Sequence, residues 1–494
     1  MKNLSGTLVL LSGLCLAVAM AEPTYVKPSL KLHVVDSLAR MPELRDTALP
    51  DSINRPAILP IDAQHWKYEP LEVMPDPSVQ VWWQDFNDPV LDSLIAVAVR
   101  NNYDIRMAAR RMELNNLELK KLKSGYYPVI NASAGWTADR TSAYMANRRG
   151  YDSHANYFNL GLEASWEIDV FGRISQQSNA GQANLDISRA DYAAAISSLC
   201  SQLAENYIHL RVYQAQLEVA QRLSISQQEV LRIAEVRHEC TLASGLDVSQ
   251  AKTVCLATQA TVPQLKTSIT QTINAIRILT GNNAPGLINS LSEKKPIPVY
   301  SMPIDVEITP SLLRRRPDIQ AAEQQIAAYA AQIGVAKKDF LPTLSLNASV
   351  GTAAHNLGDL FKHDALTYNV QPTLSWTVFS GLSRKYAVAE AKEQMLIGID
   401  EYNLTVQQAS AEVDNAIVAY RNSIERIGML NEVLGESIKS FDFALDQYKQ
   451  GLSPFLNLIN AQIDVLNYNN ELVAERGNAQ IAVMELYKAL GGGW

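Results

Sequence analysis

The 494-residue chain is short of several things, and each shortage removes a class of function. It holds four cysteines, Cys15, Cys200, Cys240 and Cys255. Beyond the N-terminal segment their number is odd, so any bridge leaves one thiol over and no disulfide framework is expected. The seven histidines form no HExxH or other ligand spacing. His238-Glu239-Cys240 is the nearest approach to a metal cluster, but consecutive helical residues point in different directions. No G-x-S-x-G, P-loop or GxGxxG run occurs, so neither catalysis nor a cofactor is expected. A net charge of −8 with no basic stripe argues against a nucleic-acid partner. After the N-terminus there is no run of about 18 apolar residues, the length a membrane-spanning helix requires. Yet 47% of the residues are apolar and 19% charged, an ordinary balance for a folded protein.

Lys2, the apolar stretch Leu8 to Ala19 and the Ala19-Met20-Ala21 tripeptide fit a secretory signal peptide, residues 1–21, cleaved before Glu22. Cys15 offers an alternative, lipid modification, although Leu14 stands where a lipoprotein pattern has a small residue. Ten of the 21 prolines lie between Glu22 and Pro89, without helical periodicity. Residues 22–87 therefore read as an extended segment lying over other structure, or equally as a flexible linker.

The rest of the chain is organised around Asn156 to Arg173. Phe158, Leu160, Leu162, Ala164, Trp166, Ile168 and Val170 alternate with polar residues or glycine, the period of a strand with one apolar face. A half-buried strand of a soluble sandwich reads the same way. Before it, Asp88-Pro89 opens a helix expected to reach Lys123, where Lys120, Lys121 and Lys123 suit the helix dipole. Ile130, Ala132, Ala134, Trp136 and Ala138 then alternate as a first strand, and a polar loop containing Arg148-Arg149-Gly150 makes a hairpin with the second. From Arg173 to Cys240 there is no proline and one glycine, Gly181, which predicts a helix of about 100 Å. A turn at Leu242 to Gly245 sends a shorter helix back to about Thr280.

The second half repeats this order. Pro317-Asp318 opens a helix to Lys337-Lys338; Leu344 to Val350 and Tyr368 to Val378 alternate; a long helix runs from Gly381 to about Lys449. Trp166 and Trp376, Thr241 and Gly451, and Thr280 and Leu490 are each 210 positions apart, an internal duplication. Two short helices stacked end to end would match one long helix, giving a uniform wall. Along the second long helix, apolar residues from Val406 to Tyr448 recur about every 3.5 positions, the coiled-coil period.

Four alternating strands of about ten residues suit a tilted membrane strand, but four cannot close, and open edges are not tolerated in lipid. A dimer would give eight strands and a filled lumen; a trimer gives twelve and an aqueous one. Glu163, Glu167 and Asp169, read as lumen-facing, favour the trimer. Trp136, Trp166 and Trp376 suit a membrane-interface girdle, or alternatively a buried soluble core. A soluble periplasmic coiled-coil scaffold would explain the helices but not the strands with their tryptophans. An enzyme lacks a convergent catalytic set.

The run SLLRRRPDIQAAEQQIAAYAAQIGVAKKDFLP from Ser311, with WWQDFNDPVLDSLI, WEIDVFGR and Leu279-Thr280-Gly281, resembles the TolC-like outer-membrane factors, in the NodT/OprM-like branch serving resistance-nodulation-division efflux pumps. The resemblance implies an α+β membrane protein of two tandem repeats. Each protomer would contribute four β-strands to a shared trimeric 12-stranded outer-membrane barrel, plus a long α-helical coiled-coil periplasmic tunnel. Residues 88–281 and 311–494 would be the repeats, and 22–87 with 282–310 an equatorial belt. It further implies residence in the outer membrane of a Gram-negative bacterium, with its lipid as surroundings. The partners implied are a periplasmic adaptor (membrane-fusion) protein and an inner-membrane resistance-nodulation-division transporter. Leu242, Ala243, Ser244, Gly451, Leu452 and Ser453 match the turns that receive the adaptor, where the plain alternative is ordinary turn surface. Tyr448 matches a residue that latches the closed end. The family's constricting acidic positions fall on Asn457 and Asn460, while Asp247 keeps a carboxylate at the corresponding place in the first repeat. Thr241 replaces the glycine of the first turn, and a β-branched residue is poorly suited to positive φ.

Overall fold

The structure is a computed structural model and describes residues 82–140, 154–281, 285–300 and 313–491. The signal peptide with Cys15, most of the 22–87 segment, the Arg148-Arg149-Gly150 loop and much of the 282–310 linker lie outside the described residues.

A short 3-10 turn, Trp82–Phe86, precedes α1 (Pro89–Asn101), α2 (Tyr103–Ser124), β1 (Val129–Arg140), β2 (His154–Ile168), α3 (Arg173–Glu239), α4 (Gly245–Leu279) and α5 (Pro285–Ser290). The second half contains α6 (Pro317–Lys338), β3 (Thr343–Ala354), β4 (Leu366–Ser375), α7 (Ser383–Gln450) and α8 (Phe455–Ala489). Equivalent helices match in length: 22 residues in α2 and α6, 67 and 68 in α3 and α7, 35 in α4 and α8.

The single helix expected from Pro89 to Lys123 is broken at Asn102, which is extended (φ −63°, ψ 135°). Its side-chain oxygen accepts the N–H groups of Asp104 and Ile105 at 2.7 and 3.1 Å, while its amide donates to the Leu279 carbonyl at 3.0 Å. Satisfying a fresh helix start and the end of α4 outweighs the continuation of α1. The counterpart of the helix opened by Pro317 is therefore Tyr103–Ser124.

Arg316 does in the second repeat what Asn102 does in the first. It precedes α6 and donates to the Ala489 carbonyl at the end of α8 at 2.8 Å, with further bonds to Asp318 and Glu412. Each junction needs a glycine. Gly281 (φ 65°) and Gly491 (φ 84°) are left-handed, and a Cβ on Gly281 would lie 2.4 Å from the Asn101 carbonyl oxygen.

The main core lies at this level, where Trp82, Phe86, Leu94 and Ile95 meet Leu203, Tyr207, Met484 and Tyr487. Arg211 is wholly buried there, donating to Gln214, the Glu293 carbonyl and the Tyr207 hydroxyl. Tyr207 in turn donates to Asp88, the cap of α1, at 2.7 Å. A buried guanidinium is tolerable because most of its donors are satisfied and a carboxylate lies one bond away.

The four strands form one antiparallel sheet in the order β1-β2-β3-β4. The pairing of β2 with β3 joins the two repeats: Leu162 faces Val350, and Glu163 faces Ser349. Register puts Ile130, Leu162, Val350, Tyr368 and Trp166 on one face. Asn131, Glu163, Ser349, Asn369 and Gln371 share the other. No layer among the described residues covers the apolar face: Ile130 is 65% and Tyr368 80% exposed. A soluble sandwich would bury such a face, so that reading of the strands is withdrawn. No helix among the described residues is long and apolar enough to cross a membrane.

Candidate functional site

The two turns that end α3 and α7 are built alike. Leu242 N–H donates to the Arg237 carbonyl at 2.8 Å and Leu452 N–H to the Gln447 carbonyl at 2.9 Å, with Thr241 and Gly451 each bonding back three residues. These are paired Schellman caps, which require a left-handed residue just past the helix end, the position held by Thr241 and Gly451. Gly451 takes φ 76° without cost, and Thr241 takes φ 60° despite its β-branch, its hydroxyl bonding the Cys240 carbonyl at 2.6 Å. The threonine thus adopts the geometry its type disfavours, because the shared turn leaves no other path.

Leu242 and Leu452 stand 66% and 73% exposed at the two tips. Ala243 and Ser453 are half-buried, and Ser244 and Gly451 exposed. Ser244 caps α4: its Oγ accepts the Asp247 N–H at 3.2 Å and donates to the Asp247 carboxylate at 2.7 Å. One carboxylate oxygen of Asp247 is thereby engaged within its own turn. Asn457 and Asn460 are exposed on the first turns of α8, and Asn457 donates to Ser453 Oγ at 3.0 Å. His238 uses Nδ1 on the Ala243 carbonyl at 2.9 Å, so the His238-Glu239-Cys240 run serves the turn.

Tyr448 joins the two turns. It is 3% exposed, packs against Phe455 with ring centroids 4.9 Å apart, and lies under the Arg237 guanidinium at 4.9 Å. Arg237 also donates to the Lys449 carbonyl at 2.7 Å, crossing from the first turn to the second. Burial, seconded by the negative charge of Asp247, raises the Tyr448 phenol above its ordinary pKa. Its hydroxyl has no hydrogen-bond partner among the described residues, so Arg237 holds the ring through its face. Arg237 is the residue that sequence reasoning missed. The clue was a break in the duplication, since its counterpart 210 positions on is Gln447.

About 100 Å away, at 1.5 Å per residue of α3, lies the sheet. Glu163 sits on its polar face. Glu167 shares that face but is held by Arg173 through both carboxylate oxygens at 2.8 Å. The expectation for Asp169 is corrected: it lies beyond β2, and its carboxylate accepts the Ile174 and Ser175 N–H groups at 3.0 and 2.9 Å, capping α3. A 67-residue helix begun by a left-handed Gly172, which has no side chain to cap it, draws on this nearby anion.

The tryptophans mark two levels. Trp166 Nε1 donates to the Tyr126 carbonyl and Trp376 Nε1 to the Phe340 carbonyl, each at 2.9 Å, at the helix end of the sheet. Trp136 pairs in register with Phe158 toward the other end. At about 3.4 Å per residue the levels are about 27 Å apart along the strand, or about 21 Å along the axis of a barrel whose strands tilt by about 40°, against an apolar band about 25 Å tall.

Comparison with known proteins meets this geometry. The sequence profile of the family described as outer membrane efflux protein matches residues 94–282 and 309–492. A probable efflux pump outer membrane protein of Pseudomonas putida, TtgC, is 28% identical over 417 residues, covering 84% of this chain and 85% of that protein. The cation efflux system protein CusC of Escherichia coli is 25% identical over 416 residues, covering 84% and 88%. The solved outer-membrane channel OprN superposes with a TM-score of 0.78 at 27% identity, covering 91% of this chain and 99% of that one. With its profile match spanning both repeats, this chain belongs to the outer membrane efflux protein family, and its duplicated plan of strands and long helices is that of an outer-membrane efflux channel.

Proposed function

We propose that three copies of this chain close one twelve-stranded barrel in the outer membrane and continue it as a helical tunnel through the periplasm, the passive exit duct of a tripartite efflux system. The observation that carries this reading is the sheet. Its apolar face is uncovered, its polar face carries amides, hydroxyls and Glu163, and β1 and β4 each have one unpaired edge. Lipid on one face, water on the other and a neighbouring copy at each edge satisfy all three at once. The same assembly covers Ile424 and Ile438 of the coiled-coil stripe, which are 47% and 44% exposed in a single chain.

The paired turns form the periplasmic end. Leu242, Ala243, Ser244, Gly451, Leu452 and Ser453 receive the periplasmic adaptor, which joins the duct to an inner-membrane resistance-nodulation-division transporter. Tyr448 with Arg237 latches the aperture, and Asn457, Asn460 and Asp247 line it. Trp136, Trp166 and Trp376 form the girdle. The protein performs no chemistry of its own; energy and the main choice of cargo lie with the pump. Residues 1–21 act as the signal peptide, with 22–87 and 282–310 as the equatorial belt.

Native mass measurement on detergent-extracted protein tests the assembly: a trimer is expected, and a stable monomer would sink the reading. In planar bilayers Arg237→Ala is expected to raise conductance several-fold, because it removes the stacking on Tyr448 and the bond to Lys449. Unchanged conductance would remove Arg237 from the latch.

A further inference from the structure

The polar face of the sheet carries an asymmetry that the family role leaves unused. At one level, register aligns Asn131, Glu163, Ser349 and Asn369, three neutral side chains and one carboxylate. The next rows are Gly161 opposite Gly351, which offers no side chain, and Ser165 bonded to Asn347 at 3.1 Å. Within the described strands no lysine or arginine falls on this face. Glu167 is neutralised by Arg173, and Asp169 is committed to the start of α3. Asp139 is the other carboxylate on the face, at the far end of β1. Glu163 has no ion pair among the described residues, and it stands mid-strand beside the Gly161–Gly351 pair, in a row whose side chains are Ser133 and Thr367. At the opposite end of the duct Asn457 and Asn460 are neutral, and Asp247 keeps its charge while accepting from Ser244.

We infer that Glu163 sets the charge preference of this channel from inside the barrel, favouring cations and cationic amphiphiles over anions. The inference rests on the trimeric-barrel reading. Twelve strands about 4.8 Å apart and tilted by about 40° enclose a backbone radius of about 12 Å. A glutamate reaching inward leaves its carboxylate roughly 7 to 8 Å from the axis. Threefold symmetry puts all three at one height. That distance is about one Debye length at physiological salt, so a solute on the axis feels the three charges together. In bulk-water dielectric, and with that screening, a monovalent cation is enriched about threefold at 0.15 M salt and about tenfold at 10 mM. Charge selection is then a property of the wide barrel, graded and salt-sensitive, with no tight binding that would slow export.

Two measurements test this on the full trimer. In bilayers under a potassium chloride gradient, the reversal potential should report cation preference that strengthens from 0.15 M to 10 mM salt. Glu163→Gln should lower the cation-to-anion permeability ratio at least threefold at 10 mM, while Ser349→Ala, a neutral change in the same row, leaves it unchanged. A ratio unmoved by Glu163→Gln, or one abolished by Asp247→Asn alone, overturns the proposal. The second measurement does not depend on an open aperture. Cys200 and Cys255 are buried and Cys240 is exposed, so Cys240→Ser with Asn131→Cys places the accessible thiol beside Glu163. Cationic methanethiosulfonate should then modify it faster than the anionic reagent. Adding Glu163→Gln should reduce that rate ratio at least threefold, and an unchanged ratio overturns the proposal. A native mass that is not trimeric would instead remove the barrel reading on which the proposal stands.

Discussion

The two repeats share an element plan and differ in how they fasten it. In the first, the junction between short helices is a neutral amide, Asn102, bonded to the Leu279 carbonyl. In the second it is Arg316, bonded to the Ala489 carbonyl and to two carboxylates. At the far end the balance reverses: the first turn carries Arg237 and a strained Thr241, the second carries Gln447 and a relaxed Gly451. The returning helices diverge too. α8 packs between α7 and α3 and buries Leu458, Ile459, Val483 and Met484. α4 leans mainly on α3, contains Pro263, and turns the hydroxyls of Thr253, Thr267, Thr270 and Thr272 back onto carbonyls four residues before. Hydroxyls bonded back in this way favour a bend in a helix. Duplication preserved the dimensions a shared tube wall needs, while side-chain chemistry was free to differ wherever another element could supply the missing bond.

Breaking the two junctions should separate them most strongly. Arg316→Ala removes a guanidinium that is 9% exposed and leaves the Ala489 carbonyl, Asp318 and Glu412 without it. A loss of about 2 to 3 kcal/mol is expected. Asn102→Ala should cost about 1 to 2 kcal/mol, for one cap and one neutral hydrogen bond. Thermal melting of the solubilised protein ranks them, and equal losses would show that the charge at the second junction adds nothing.

The aperture offers the next test. The unmodified trimer should be blocked only weakly by multivalent cations added on the periplasmic side, because Asn457 and Asn460 present amides. Asn457→Asp combined with Asn460→Asp should tighten block about tenfold or more, since a cation and a carboxylate 4 Å apart attract by about 1 kcal/mol even in water. Tight block of the unmodified channel that disappears in Asp247→Asn would move the cation-sensitive ring to the first repeat.

Exchanging the turns sharpens the comparison at smaller scale. Thr241→Gly should stabilise by about 1 kcal/mol and Gly451→Thr destabilise by about the same, because only the first turn pays for a β-branched left-handed residue. Melting temperatures moving the same way in both variants would refute the shared geometry.

The smallest effect is a pH dependence. Burial alone would raise the Asp318 carboxyl, but the hydrogen bonds and charge of Arg316 outweigh it and hold the group below its usual 3.8. A depressed carboxylate stabilises fully above its unfolded pKa and loses that contribution as pH falls through the folded value. The melting-temperature difference between the native chain and Asp318→Asn should therefore be constant above about pH 5 and shrink below about pH 4. A difference that grows on acidification would reverse the sign.

The amino-acid sequence alone determined the strands, the long helices, the 210-residue duplication and the need for a shared barrel. These follow from periodic burial, a local pattern read within a few turns or pleats. Alternation also assigned Glu163 to the polar side of its strand, whereas Tyr448 and the turn residues rest on the family resemblance. Only the tertiary structure decided that α1 breaks from α2 at Asn102, that Asp169 caps α3, and that Thr241 turns left-handed. It alone also revealed that Arg237 reaches Lys449, 212 residues away, and that Arg316 reaches Ala489, 173 away. The physical reason is the range of the interaction. Hydrophobic periodicity is written into neighbouring residues, whereas a single hydrogen bond between distant segments leaves no periodic trace and exists only once the long helices have brought its partners together.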